Sequence, residues 1–200
     1  MSAKVHRGAV ILVMDHSVIT LRNGEGVSAE TGFLSIYDIS YSPDFGGGRV
    51  ALVRVPMAGI ETVFADRLEL GLGMQARLDR RGMHPEFLTA PPVAARIVRR
   101  AMVNARLGYT IETDEVLIDA SWHNMETPFW AEGPAPAFVA TEDMWCTLIS
   151  ARAADILVNG KRTPGDPFDD NVWLPWVGRP ISSAHVALGE TRVTPITETP

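Results

Sequence analysis

Residues 32–41 read Gly32-Phe33-Leu34-Ser35-Ile36-Tyr37-Asp38-Ile39-Ser40-Tyr41, and they alternate along their whole length. One side carries Phe33, Ser35, Tyr37 and Ile39, and the other carries Leu34, Ile36 and Asp38. Successive side chains of a β-strand point to opposite faces of a sheet, so this period of two predicts a strand.

The same alternation recurs on both sides of this strand. It is present in residues 49–56, 106–112 and 116–123, and Asn23-Gly24 and Asn159-Gly160 are strong turn signals. Asp15-His16-Ser17 separates two apolar runs, which predicts a tight hairpin there. Turns spaced about 8–12 residues apart are typical of β-sandwiches and β-barrels. We therefore expect a mainly β protein, either an antiparallel β-barrel, lipocalin-like or similar, or a two-sheet sandwich.

One stretch departs from the strand pattern. Between residues 65 and 81, Leu68, Leu72 and Ala76 recur at four-residue spacing, which predicts one short helix. Gly71 and Gly73 weaken that helix by about 1 kcal/mol each relative to alanine. No linker or repeat divides the chain, so we expect a single domain over residues 1–200 with a frayed tail at 194–200.

Composition narrows the class of function. The net charge of −6 disfavours nucleic-acid binding, because an acidic chain is not attracted to phosphate backbones. Cys146 is the only cysteine, which excludes an intramolecular disulfide and favours a reducing, cytoplasmic location. No run approaches the roughly 20 apolar residues of a membrane helix, so we expect no membrane span.

Several short motifs suggest chemistry but lack its requirements. The loop at residues 44–48 has glycines without the lysine and the strand–helix setting of a phosphate-binding loop. Asp15, His16 and Ser17 are the residue types of a hydrolytic triad, but three consecutive side chains mostly point apart. The histidines lack metal-ligand spacing, so we expect no metal. The glycine-containing segments lack the context of a phosphate or dinucleotide site, and we expect no organic cofactor.

All five tryptophans lie between residues 122 and 176. Trp122 and Trp145 fall on strand patterns and are predicted to be core residues. Trp130, Trp173 and Trp176 lie in segments rich in proline, read as ordered loops. Loops on a rigid scaffold often carry binding residues. These three, with Phe129, are the predicted ligand contacts, and a plug for the barrel is the alternative.

A polar strand face precedes the tryptophan-bearing segments. Asp119 and His123 share one side of the predicted strand at residues 116–123, and His185 on the last strand could join them. Glu126 and Glu132 bracket Phe129-Trp130, where an apolar setting would raise a carboxyl pKa toward neutrality. The four predicted proton-transfer residues are Asp119, His123, Glu126 and Glu132. The competing interpretation of Asp119 and His123 is the solvent face of a half-buried strand.

These patterns favour an enzyme that binds a hydrophobic small molecule in a β-barrel pocket and performs acid–base chemistry on it. Hydration, isomerisation, cyclisation and elimination are the reaction classes that fit. A non-catalytic carrier or sensor would need the same pocket without a titrating group. A third alternative is an interaction module whose tryptophans face a partner, such as a second copy in a homodimer.

Overall fold

A computed structural model describes residues 8–25, 29–103, 106–134 and 142–195. The strands in this part of the chain are β1 (Gly8–Arg22), β2 (Glu30–Tyr41), β3 (Gly48–Val55), β4 (Ile60–Ala65), β5 (Val93–Ala94), β6 (Arg96–Val103), β7 (Arg106–Glu112), β8 (Leu117–Met125), β9 (Phe129–Pro134), β10 (Asp143–Val158), β11 (Lys161–Arg162), β12 (Asp169–Asp170), β13 (Ile181–Ser182) and β14 (Ala184–Pro195). The helices are α1 (Leu68–Asp79) and α2 (Leu174–Val177), with 3₁₀ turns at Pro56–Ala58 and Pro85–Leu88. None of these helices is long and apolar enough to cross a membrane.

One large sheet forms the body of the protein. Its strand order is β5-β4-β3-β2-β1-β14-β10-β8-β7-β6, and β9 and β11 also pair with β10. The pairings are antiparallel except for β4 with β5. The end strands β5 and β6 are joined by the single residue Ala95, and Arg49 on β3 donates a hydrogen bond to the Ile97 carbonyl on β6. The sheet is therefore nearly closed and barrel-like, which confirms the mainly β prediction.

The interior of the curled sheet is filled by side chains from both halves of the chain. Trp122 and Tyr109 meet edge to face there, with ring centroids 6.0 Å apart. Trp122 is fully buried, and its indole N–H donates to the Val18 carbonyl over 2.8 Å. The apolar cluster around them draws residues from nearly every long strand, so it holds the two halves of the sheet together.

The outer face of the sheet is covered in two places. Helix α1 packs over β1 to β4 through Leu70, Met74 and Leu78, which confirms the helix predicted between residues 65 and 81. Residues 163–180, here named the covering segment, lie over β10 and β14, where Trp173 is buried. Backbone hydrogen bonds between Arg22 and Asp166 fix its start on β1.

Two local predictions were wrong. Asp15-His16-Ser17 is not a hairpin, because β1 runs through it: all three residues pair with β2, and His16 and Ser17 also pair with β14. Trp130 lies on strand β9, where β10 supplies hydrogen-bond partners that local sequence cannot reveal. Strand β14 extends to Pro195, and residues 196–200 of the predicted tail lie outside the described residues, so the tail stays a prediction.

Candidate functional site

A cavity of about 380 Å³ opens on the outer face of the sheet, between α1 and the covering segment. Its volume lies within the range of small-molecule sites. Alternate residues of β1 form its floor: Leu12, Met14, His16, Val18, Thr20 and Arg22. Met74 and Leu78 of α1 form one wall, and Phe168 and Trp173 of the covering segment form another. Much of this lining is apolar, with histidines and charged groups at defined places.

His16 lies between a carboxylate and a hydroxyl on the cavity floor. Its Nε2 is 2.8 Å from the Ser35 Oγ, and its Nδ1 is 3.6 Å from the Glu190 Oε2. The imidazole ring stacks on Tyr37, with centroids 4.5 Å apart and planes 12° from parallel. Since the ring is held from three sides, its orientation toward Ser35 is fixed.

Strand register brings these three side chains together. Ser35 lies opposite Val18 on β1, one outward-facing position along from His16. On β14 the register shifts between the pairs Met14–Glu190 and His16–Ala187. Gly189 adopts the left-handed conformation, with φ of 59°, at this bulge. A bulge reverses the alternation of side chains, and here it turns Glu190 to the face that carries His16.

Glu190 is fully buried and stays ionised. Burial alone would raise its pKa, but the Arg192 charge and the His16 contact outweigh it and lower the pKa of Glu190 to about 2. The Arg192 Nε donates to the Glu190 Oε1 over 2.5 Å, whereas Oε2 faces His16. This carboxylate lies 3.6 Å from Nδ1, longer than a hydrogen bond, and its charge favours the tautomer with the proton on Nδ1. In that tautomer Nε2 accepts the Ser35 hydroxyl proton.

A second histidine, His185, holds a tryptophan of the covering segment in place. Its Nδ1 donates to the Ser182 carbonyl over 3.1 Å, and its Nε2 accepts the Trp173 indole N–H over 3.1 Å. Burial, with a smaller contribution from His16, lowers the pKa of His185 to about 4, so the ring is neutral at pH 7. His185 therefore holds Trp173, and with it the covering segment, against the sheet.

Three arginines surround a buried carboxylate at one end of the cavity. Arg77 on α1, Arg81 two residues after the end of α1, and Arg192 on β14 all contact Glu142, whose side chain is 3% exposed. We name Arg77, Arg81 and Arg192 the arginine cluster. Burial, and after it the neighbouring guanidinium charges, lowers the pKa of both Arg77 and Arg81 to about 10. Both therefore remain charged at neutral pH.

The structure brings two of the predicted ligand contacts, Trp173 and His185, together in this cavity. Trp176 packs against Trp173 with ring centroids 5.5 Å apart, inside the cluster under the covering segment. Phe129 is half-buried at the same cluster, with the Arg179 guanidinium 5.7 Å from its ring centroid. Trp130 is 63% exposed, and its N–H points to Glu132.

The four predicted proton-transfer residues lie on β8, β9 and the turn between them, separated from β1 by β14 and β10. Their contacts are Thr110 and Arg100 for Asp119, Ser121 and Asp155 for His123, Arg152 for Glu126, and Trp130 for Glu132. Ser121 and Asp155 both approach Nε2 of His123, at 2.9 and 3.0 Å. That ring is therefore not placed between a carboxylate and a hydroxyl, and the roles given to these residues stay predictions.

The sequence patterns did not predict that His16, Ser35 and Glu190 form a group. The signal available was weak: a continuous β1 would place His16 on the same face as Met14 and Val18. The hairpin interpretation of residues 15–17 hid that pattern. In the described ranges, no three His, Cys, Asp or Glu side chains are grouped so that they could hold a metal ion.

Comparison with known proteins does not identify a family or a function for this site. Neither a protein-family model nor a curated protein sequence matches the chain.

Proposed function

We propose that this protein is an enzyme that performs acid–base chemistry on a hydrophobic small molecule bound in the outer-face cavity. The observation that carries the proposal is the line Glu190–His16–Ser35, in which His16 and Ser35 line the cavity and Glu190 is buried behind them. It needs neither a metal nor an organic cofactor. Hydration, isomerisation, cyclisation and elimination are the reaction classes it serves.

The proposed proton path follows from the hydrogen bonds. With the proton on Nδ1 of His16, the Ser35 hydroxyl donates to Nε2 over 2.8 Å, so its oxygen can accept a proton from the substrate as its own proton moves to the ring. The resulting imidazolium lies beside the ionised Glu190, which stabilises its positive charge. Return of the proton along the same path makes His16 the acid of the second half-reaction.

The apolar part of the lining supports both binding and catalysis. Met14, Leu78 and Phe33 bury substrate surface, and each buried methylene contributes about 0.8 kcal/mol. Trp173 limits access of water from the side of the covering segment. In a site with little water, the charges on Glu190 and on protonated His16 interact more strongly.

Deuterium exchange tests the proposal before the reaction is known. A panel of apolar carbonyl compounds is incubated with the protein in D₂O, and incorporation at carbon is measured by mass spectrometry. Replacement His16→Ala should lower the exchange rate about 100-fold, the lower range of general acid–base catalysis, with ligand affinity nearly unchanged. His123→Ala, on β8, is the matched control and should leave the rate unchanged.

The two variants also separate the competing sites and functions. Loss of exchange in His123→Ala with retention in His16→Ala would move the chemistry to β8 and contradict the proposal. Binding of panel compounds without exchange in the unmodified protein would favour the carrier or sensor function. Tryptophan fluorescence reports binding in all of these proteins, since Trp173 lines the cavity.

A further inference from the structure

The arginine cluster has more positive charge than its carboxylates neutralise. It contains three guanidinium groups, and among the residues that the structure describes the carboxylates in direct contact with them are Glu142 and Glu190. None of these five side chains is more than 16% exposed. Three positive and two negative charges leave one positive charge that water hydrates poorly, and a buried charge without a partner is costly.

The hydrogen-bond donors of the cluster are also not all used. The Nη1 of Arg81 is buried and has no acceptor within the described part of the chain. Its Nη2 contacts Glu142. A guanidinium presents its N–H groups in a planar fork that fits two carboxylate oxygens. Within the described ranges, the arginine cluster thus has one positive charge more than its carboxylates neutralise, and Arg81 has one N–H donor group without an acceptor.

The opposite end of the cavity differs from this one. Arg54 there pairs with both Glu30 and Glu86, so its charge is matched. Arg22 lies over the Phe168 ring, 3.6 Å from the centroid. Asp170, the remaining carboxylate of the lining, accepts the Val172 backbone N–H in its own turn. Arg22 is a single charge stabilised by an aromatic ring, and its buried Nε has no acceptor in the described part of the chain. At the α1 end, by contrast, three clustered guanidinium groups outnumber the carboxylates that they contact.

Apolar side chains separate the two charged ends. They are Leu12, Met14, Met74, Leu78, Met83 and Met144. Methionine adapts its shape to a flexible apolar ligand, because its side chain is unbranched and polarisable. A molecule that fits this lining has an apolar body and one anionic end.

We infer that the small molecule bound in the outer-face cavity is an amphipathic carboxylate, with its single negative charge at the arginine cluster and its apolar body along β1 and α1. This inference rests on the function proposed above and names its substrate class. Arg192 contacts both Glu142 and Glu190, so the carboxylate end lies next to the His16 line. The carbons nearest the carboxylate are then those that His16 and Ser35 act upon.

Three probes with the same chain and different head groups test this inference. Decanoate, decan-1-ol and decylamine are titrated into the full chain below their micelle concentrations, and binding is followed by tryptophan fluorescence and calorimetry. We expect decanoate to bind at least tenfold more tightly than decanol, and decylamine to bind most weakly. Raising the salt concentration should weaken decanoate binding only modestly, because the cluster is buried.

Two variants locate the contact. Arg81→Gln should weaken decanoate binding about tenfold and leave decanol binding unchanged, which also shows that the variant is folded. Arg152→Gln is the matched control, because Arg152 is 75% exposed and pairs with Glu126 on another face. Equal affinity for decanoate and decanol, or equal loss of both in Arg81→Gln, would overturn the carboxylate inference and leave the proposed function intact. Absence of binding by all three probes would overturn both.

Discussion

The indole N–H of Trp173 donates to the Nε2 of His185 over 3.1 Å, and the two rings meet edge to face at 86°. This pair joins the covering segment to β14 at the wall of the cavity. Because Nδ1 of His185 donates to the Ser182 carbonyl, the ring can accept the indole N–H only in its neutral form. The closure of the cavity is thereby linked to the protonation state of a buried histidine.

Acid should destabilise the fold through His185. Its pKa is about 4 in the folded chain against 6.5 for an unperturbed histidine, so the unfolded chain binds a proton first as the pH falls. The contribution of His185 to the free energy of unfolding is therefore fully present above pH 6.5. It falls by roughly 3 kcal/mol as the pH is lowered from 6.5 to 4. Urea unfolding at pH 7, 5.5 and 4 measures it. In His185→Gln the decline over this range should be shallower, and an unchanged decline would contradict the assignment.

Tryptophans on opposite sides of the sheet should differ sharply in their effect on stability. Trp122→Phe removes a fully buried indole and its hydrogen bond to Val18, which should cost about 2–4 kcal/mol of unfolding free energy. Trp130→Phe changes a side chain that is 63% exposed and should change stability by less than about 0.5 kcal/mol. Chemical denaturation of the two variants measures the contrast, and similar values would disprove the burial assigned to Trp122.

Gly71 should resist replacement although it lies within α1. Alanine would gain about 1 kcal/mol of helix propensity. However, its Cβ would lie 2.7 Å from the Pro92 Cβ and 3.1 Å from the Ala65 Cβ, and overpacking costs about 1–3 kcal/mol. We expect Gly71→Ala to lower the thermal midpoint. Leu72→Ala, at an exposed position of the same helix, is the control and should have little effect. A stabilised Gly71→Ala protein would show that Pro92 moves aside.

Removal of the Glu142 charge should be costly. Glu142→Gln leaves the arginine cluster without its shared carboxylate, and loss of one partner from a buried ion pair costs about 3–5 kcal/mol. Glu126→Gln removes a carboxylate whose partner Arg152 is solvated, and should cost less than about 1 kcal/mol. Thermal unfolding at pH 7 compares them. Decanoate should restore part of the loss in Glu142→Gln, because it supplies a negative charge.

Cys146 should be inert in the folded protein. Burial raises the pKa of its thiol to about 12, so the reactive thiolate is scarce at pH 8. Iodoacetamide should modify it only after denaturation, as read by intact-mass spectrometry. Rapid modification of the native protein would show that the cluster under the covering segment opens.

Alternation in the sequence was sufficient to predict the class of the fold. Residues 32–41 became β2 with the predicted sides, and the four-residue spacing between residues 65 and 81 became α1. The two glycines that made this helix doubtful have a tertiary reason, since Pro92 approaches Gly71 and Phe45 approaches Gly73. Helix propensity describes an isolated helix. In the folded protein, the residues that pack against α1 leave no room for a side chain at these two glycines.

The candidate site was only partly accessible to the same reasoning. Trp173 and His185 were named from composition and strand position, and they do meet at the cavity. His16 and Ser35 were not predicted as site residues, because their contact depends on which strands lie next to each other in the sheet. Periodicity within one strand carries no information on that choice.

The sequence by itself determined that strands form, where most of them lie, and which of their faces are apolar, because side-chain alternation is a local property of the backbone. Only the tertiary structure decided the strand order, and with it the meeting of His16 with Ser35. It also decided the position of Glu190. Simple alternation along β14 places Glu190 on the interior face with Val186, and the bulge at Gly189 reverses it toward His16. A one-residue irregularity between paired strands thus completes the candidate site.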